Sequence, residues 1–324
     1  MRHLIISLFL LNLSYAENWP NWRGPRYDGV SREKLPKADV SKITWRRQIG
    51  VGFSSMAVAE NRLFCLGCTG KRDENKETFQ CLDAETGKTL WKDTYTAALV
   101  DYLHEGGPCA SPTIDGKRVY GLSKSGRLAC YDTATGKIHW KIDMMAKAEL
   151  PRPPEWGFAA SPVVLGDLLI VEATFTCALN KITGKEVWRS KVYKPAYGSP
   201  VAFEFKGRTF LATLKTDGLV ILDATNGKKI EQIAVNKRAH NSIASLDGKY
   251  VYLGTEVTLT QFRASDGKVL QTVSPVGESG VFPFTVNSAN TRAYVCLGKH
   301  AGFDVVNLET GKVTDRVFAS DPKS

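Results

Sequence analysis

Two long polar segments hold the side chains best suited to chemistry. Tyr102, His104 and Glu105 lie within DTYTAALVDYLHEGG (93–107), and Arg152, Glu155 and Trp156 lie within DMMAKAELPRPPEWG (143–157). An imidazole beside a carboxylate can relay a proton or ligate a metal, while a single His with no second ligand nearby is more often a loop residue capping its own turn. Trp156 offers a face for stacking on a sugar or peptide, or a cover for a core edge. Arg152 sits among Pro151, Pro153 and Pro154, which stiffen the loop and so lower the entropic cost of recognition. Glu172 follows the apolar run LLIV and either faces an interior channel or ends a strand.

Seven cysteines add a second set of reactive groups. Cys65 and Cys68 form a C-x-x-C, a weak redox or zinc signal without a second pair. The hairpin between RLFCLG and TFQCLD is centred near Asp73, which predicts Cys65 opposite Cys81 and a cross-strand disulfide in an exported protein. Cys130, Cys177 and Cys296 fall on predicted strands, where cysteine behaves as a small hydrophobe. Other templates are missing: there is no G-x-S-x-G, no H-E-x-x-H and no phosphate-binding G-x-x-x-x-G-K-[ST]. No catalytic or metal-ligating set emerges from these residues.

What must position these side chains is a repeat. CLDAETGKTLWKDTY (81–95) returns as CYDTATGKIHWKIDM (130–144), and the turn glycines recur at Gly87, Gly136, Gly184, Gly227, Gly267 and Gly311. Asp83, Asp132 and Asp223 can accept hydrogen bonds from the backbone of the turn, and the glycine supplies the positive φ that closes it. Trp91, Trp140 and Trp188 stand four residues beyond the glycine, large enough to fill a wedge between neighbouring units. Each unit reads as four short strands in about 40 to 50 residues, the pattern of a propeller blade. Six units are present, and a chain short of a seventh blade is the alternative.

These units resemble the pyrroloquinoline-quinone-type β-propeller repeat, SPxxxxGxVYxxxxxGxLxALDxxTGKxxW, best in CASPTIDGKRVYGLSKSGRLACYDTATGKIHW (109–140). The resemblance runs from Trp45 to about Ala319. NWPNWRGPRYDGVS is similar to the leader of exported members, and Trp45 in ITWRRQI reads as an outer strand without a blade of its own. In catalytic members, the resemblance implies a quinone between a tryptophan floor and adjacent cysteines, beside a calcium held by carboxylate and amide oxygens. No two cysteines adjoin here, and no compact set of Asp, Glu and Asn marks the inner strands. The chain looks more like non-catalytic exported members, such as the propeller lipoprotein of outer-membrane protein assembly.

The first sixteen residues read as a signal peptide, with a basic start, an apolar core Leu4 to Leu13, and cleavage after Ala16. A core of about ten residues falls short of the roughly twenty that span a bilayer, so no membrane anchor is expected after cleavage. A leader then occupies 17–40, an all-β propeller 41–319 and a short tail 320–324. The chain carries 43 Lys and Arg against 33 Asp and Glu, a net charge of +10, scattered without long runs. This distribution serves solubility, and with no basic stripe interleaved by aromatics it argues against specific nucleic-acid readout. The sequence thus predicts a periplasmic or extracellular propeller that binds an envelope protein or polysaccharide through its long loops, with no cofactor expected. Two alternatives stay open: a quinone- and calcium-dependent alcohol or sugar dehydrogenase, and a carbohydrate-binding accessory protein.

Overall fold

The computed structural model describes residues 17–33, 42–69, 76–97, 106–194, 196–216, 218–233, 241–245, 247–255, 258–277, 283–298 and 301–318. Among these residues there are six antiparallel sheets of four strands each, one per repeat unit. The first blade contains β1 (Ala57–Ala59), β2 (Arg62–Thr69), β3 (Lys76–Asp83) and β4 (Thr89–Thr96). The second contains β5 (Thr113–Asp115), β6 (Arg118–Leu122), β7 (Arg127–Asp132) and β8 (Ile138–Asp143), followed by the one-turn helix α1 (Met144–Lys147). The third contains β9 (Val163–Leu165), β10 (Leu168–Glu172), β11 (Thr176–Asn180) and β12 (Glu186–Arg189). The fourth contains β13 (Val201–Phe205), β14 (Arg208–Lys215), β15 (Gly218–Asp223) and β16 (Lys229–Ile233). The fifth has β17 (Asn241–Ala244), β18 (Tyr250–Gly254), β19 (Leu259–Arg263) and β20 (Val269–Val273). The sixth has β21 (Phe284–Val286), β22 (Arg292–Cys296), β23 (Gly302–Asn307) and β24 (Lys312–Phe318).

The chain divides into two compact units, the first holding the first four blades apart from the ends of β15 and β16, the second holding the last two. In the first unit, successive side chains along a strand serve different interfaces. Val119 on β6 packs with Phe64, Phe79 and Tyr131 between the first two blades, whereas its neighbour Tyr120 packs with Leu169 and Cys177 between the second and third. The period of two thus gives each middle strand two buried faces, which is why β2 and β3 are buried almost throughout while β4 alternates. In the second unit, Tyr252 and Leu259 pack against Phe284, Val295 and Val306.

The turns after the third strands of five blades are built alike, the fifth blade having Arg263 in place of the acceptor. Asp83 Oδ1 accepts from Thr86 N at 2.8 Å and from Thr86 Oγ1 at 2.7 Å, and Gly87 at φ +69° donates to the Asp83 carbonyl. Asp132 repeats this with Thr135 and Asp223 with Thr225, while Asn180 and Asn307 take the same place in the third and sixth blades. Against the turn glycine of each of the first four blades lies a tryptophan from the preceding stretch of chain. Trp91 covers Gly136, Trp140 covers Gly184 and Trp188 covers Gly227. Their indole Nε1 atoms donate to the carbonyls of Thr133, Lys181 and Ala224 at 3.0, 3.2 and 3.1 Å. In the second unit Gln271 fills this role, donating to the Leu308 carbonyl beside Gly311. A Cβ on Gly267 would meet nothing within 4 Å.

Two expectations are corrected. Trp45 does cover Gly87 and donates to the Ala84 carbonyl at 3.0 Å, but residues 42–50 join no ladder, so the outer strand read there is an extended segment. The indole contact needs only one side chain, whereas a strand needs a backbone partner. The Cys65–Cys81 disulfide is likewise absent: Cys65 lies opposite Gln80 and Cys81 opposite Phe64. A register one residue from the expected one turns the two sulfurs to opposite faces of the sheet. Cys65 accordingly packs with Leu63 and Leu82, and Cys81 with Ala57 and Phe79.

The described part of the leader lies along the inner strands of the first unit. Trp19 exchanges backbone hydrogen bonds with Val58 on β1, and the Pro20 carbonyl accepts from Ile114 on β5. Gly24 sits against the Trp19 ring at φ +74°, where a Cβ would come within 2.7 Å of it.

Candidate partner-binding site

The long segment after β8 is shaped by its own residues. Asp143 caps α1 by accepting from Met145 N and Ala146 N, and Met144 anchors the turn in the core. The proline run then carries the chain to Gly157, whose N–H donates to the Pro154 carbonyl at 2.7 Å. Gly157 has φ +70°, and a Cβ there would lie 2.3 Å from Lys124 Cγ, so only glycine fits. Phe158 N then donates to the Lys124 carbonyl at 2.9 Å, fixing the loop on the second blade.

The loop's far side meets the segment between the third and fourth blades, where Trp156 N donates to Tyr197 Oη at 3.3 Å. Between them lies a narrow cleft with room for about one water, lined by Pro154, Gly157, Phe158, Ala159, Ala160, Glu172, Ala173, Ala196 and Tyr197. Connections before β9, between β10 and β11, and before β13 therefore share one face. Arg152 and Glu155 are exposed on the loop and Trp156 is half-buried. Tyr102, His104 and Glu105 lie outside the described residues, so this structure brings together only the second trio.

Glu172, among the residues lining this cleft, is 2 % exposed. Its carboxylate accepts from Thr176 Oγ1 at 2.7 Å and from Lys215 Nζ, which is itself 2 % exposed. Burial pushes the Glu172 carboxyl up, against the pull of the ammonium, and pushes Lys215 down. Tyr193 lies beside the pair, its ring centroid 5.2 Å from Lys215 Nζ. Tyr193 Oη and Thr174 Oγ1 are buried without a hydrogen-bond partner, and the Tyr193 N–H donates to the Thr174 carbonyl at 2.7 Å.

A related site lies between the first two blades. Buried Glu77 accepts from Tyr95 Oη at 2.6 Å and from Lys124 N at 3.4 Å. Burial pushes Glu77 up, and it pushes Tyr95, Cys68 and Cys109 up as well. Glu77, Lys124, Glu172 and Lys215 thus stand near the joins of second and third strands in four consecutive blades, acid and base alternating. Sequence reasoning singled out Glu172 alone. The available signal was an ionisable residue ending an apolar run, which FLATLK shares with LLIVE.

Six four-stranded blades, with the indoles of the first three seated on the turn glycines of the blades that follow them, define a PQQ-type β-propeller repeat protein. The family model for the outer membrane protein assembly factor BamB matches residues 75–244 and 176–323, and the chain belongs to that family. A search of curated proteins gave no match. Among solved structures, BamB from Moraxella catarrhalis is similar at 18% identity and a TM-score of 0.55, over 83% of this chain and 75% of that one. A europium-containing methanol dehydrogenase is similar at 16% identity and a TM-score of 0.53, over 82% and 68%. The quinohemoprotein alcohol dehydrogenase from Comamonas testosteroni is similar at 13% identity and a TM-score of 0.57, over 86% of this chain and 57% of that one. At such identities the likeness shows the shared fold.

The dehydrogenase likeness raises a quinone held with calcium, and the residues described do not fit that pair. Among them no three His, Cys, Asp or Glu side chains gather as metal donors. The buried carboxylate of Glu172 is already met by an ammonium and a hydroxyl, leaving the charge a divalent cation would need neutralised.

Proposed function

We propose that the mature chain is an exported, non-catalytic scaffold of the bacterial cell envelope, which binds a protein partner through the face bearing the 143–157 loop. The observation that carries this reading is the match to the assembly-factor family across residues 75–323. The site supports it, since Glu172 and Glu77 are each satisfied from within the chain rather than poised toward an open reaction space. The signal-like start at residues 1–16 supports export, and no helix among the described residues is long and apolar enough to cross a membrane.

The test is a photo-crosslinking amino acid at Arg152, with a second at Thr86 on a blade turn as control, in protein expressed with its own leader. A defined envelope protein captured at Arg152 and not at Thr86 is the expected result. Equal capture at both positions, or retention of the chain in the cytoplasm, overturns the reading. Calorimetric titration with pyrroloquinoline quinone, with and without calcium, is the companion experiment, and saturable binding there would restore the dehydrogenase.

A further inference from the structure

We propose that the leader is a strap that locks when the signal is cut off, because the α-ammonium created at Glu17 becomes the counter-ion of Glu33. This deepens the scaffold reading and rests on its export step. Two separate observations meet at one peptide bond. The residue pattern of the first sixteen positions puts the cut before Glu17, and the fold puts the Glu17 nitrogen on a carboxylate, where it donates to Glu33 Oε1. In the uncut chain that nitrogen is a neutral amide. Hydrolysis of the Ala16–Glu17 bond, with water as co-reactant, leaves a carboxylate on Ala16 and an amine on Glu17 that is mostly protonated at neutral pH. A neutral hydrogen bond thereby becomes an ion pair.

The surrounding charges leave Glu33 for the amine. Arg26 pairs with the Glu17 carboxylate and with Asp28 Oδ2 at 3.3 Å, and its Nη2 donates to the Val30 carbonyl at 2.7 Å. Arg32 N donates to Glu17 Oε2 at 3.3 Å. Among the described residues no lysine or arginine pairs with Glu33, so before the cut its carboxylate has no charge to hold. What the new pair ties down is strained. Trp19 exchanges backbone bonds with Val58 of the first blade at 2.8 and 2.9 Å, the Pro20 carbonyl accepts from Ile114 of the second at 2.7 Å, and Tyr27 packs on the Val163 core of the third and fourth. Arg23 at φ +66° and Tyr27 at φ +57° hold left-handed backbone without being glycine, a conformation that persists only where contacts enforce it. Joining residue 17 to residue 33 closes this segment into a loop and lowers the entropy it gains on release. The cut therefore couples export to a leader fastened over the inner strands.

The test compares the chain that starts at Glu17 with one that keeps Ser14, Tyr15 and Ala16 ahead of it, each also carrying Glu33→Gln. Tryptic release of leader peptides ending at Arg23 and Arg26 is followed by mass spectrometry, because such cleavage reports the opened population. The chain starting at Glu17 is expected to release them about threefold more slowly than the extended chain, the range of one exposed ion pair. Glu33→Gln should erase that difference, speeding release from the chain that starts at Glu17 and leaving the extended chain unchanged. Equal release from the two wild-type chains, or an equal effect of Glu33→Gln in both, overturns the latch. The mass of the exported protein gives the other arm, with a chain beginning at Glu17 expected. An exported chain that begins at another residue overturns the latch while export stands. Retention in the cytoplasm overturns the export reading and the latch with it, whereas equal release from a chain exported and cut at Glu17 overturns the latch alone.

Discussion

Trp91, at the end of the first blade, lies over Gly136 in the turn of the second, and its Nε1 donates to the Thr133 carbonyl at 3.0 Å. The ring also stacks on Tyr131 at a centroid distance of 5.6 Å, so one indole joins a turn to the core between two blades. A Cβ on Gly136 would come within 2.6 Å of that ring, at φ +72°.

Gly136→Ala therefore carries two penalties, left-handed strain and a clash, and should lower stability by about 2–4 kcal/mol in thermal or denaturant unfolding. Gly116→Ala is the control. Gly116 has φ +54° with nothing within 4 Å, so it should lose only about 1–2 kcal/mol. Equal losses at the two sites would mean that the indole gives way freely.

The buried pair predicts a second asymmetry. Lys215→Met leaves the Glu172 carboxylate alone in the core and should cost about 3–5 kcal/mol, as should Glu172→Leu, which orphans the ammonium. Replacing both together should recover much of the loss, because no unpaired charge then remains. Denaturant midpoints of the two single variants and the double variant give the coupling directly. Additive losses would show that the pair is not a unit.

The repeat was legible because each turn is set by local chemistry: an acceptor, a threonine and a glycine needing positive φ identify Asp83 to Gly87 without any knowledge of the fold. Trp91, Trp140 and Trp188 were legible for the same reason, being at a fixed distance from that glycine. The register of β2 on β3 was not, since it turns on one residue in the connection between them, and that residue decides which side Cys65 faces. At the site, Glu172 stood out as a charge ending an apolar run. Its partner Lys215 lies 43 residues away, and the contact of Trp156 with Tyr197 spans 41, separations at which no local pattern pairs residues.

Acid stability should reside in the turns. Hydrogen bonds from Thr225 and then Arg208 hold the Asp223 carboxyl down at about 2, below its ordinary 3.8, and the threonines of their turns hold Asp83 and Asp132 down as well. A carboxylate with a depressed folded value adds stability above its unfolded value and loses it as pH falls through the folded one. The wild-type melting temperature should therefore drop between about pH 4 and pH 2. Asp223→Asn keeps an acceptor, as Asn180 does naturally in the third blade, but loses the ion pair with Arg208, so it should shrink that drop by lowering the melting temperature at neutral pH toward its acid value. An unchanged pH profile would show that Asp223 does not contribute.

Thiol labelling checks the corrected register. Burial pushes Cys65 up to about 11 and Cys81, Cys130 and Cys177 up to about 12, whereas Cys296 is exposed at the end of β22. A reagent that attacks thiolates at pH 8 should therefore modify Cys296 first and leave those four until the chain unfolds. Cys65 and Cys81 should then both label without prior reduction, because their sulfurs face opposite sides of the sheet and a disulfide needs Cβ atoms about 3.5–4.5 Å apart. A cross-linked Cys65–Cys81 peptide in a non-reduced digest would instead require β2 to slide one residue on β3. That slide would turn Phe64 out of the core it shares with Phe79 and Tyr131, so the labelling pattern tests the packing of the first two blades along with the bond.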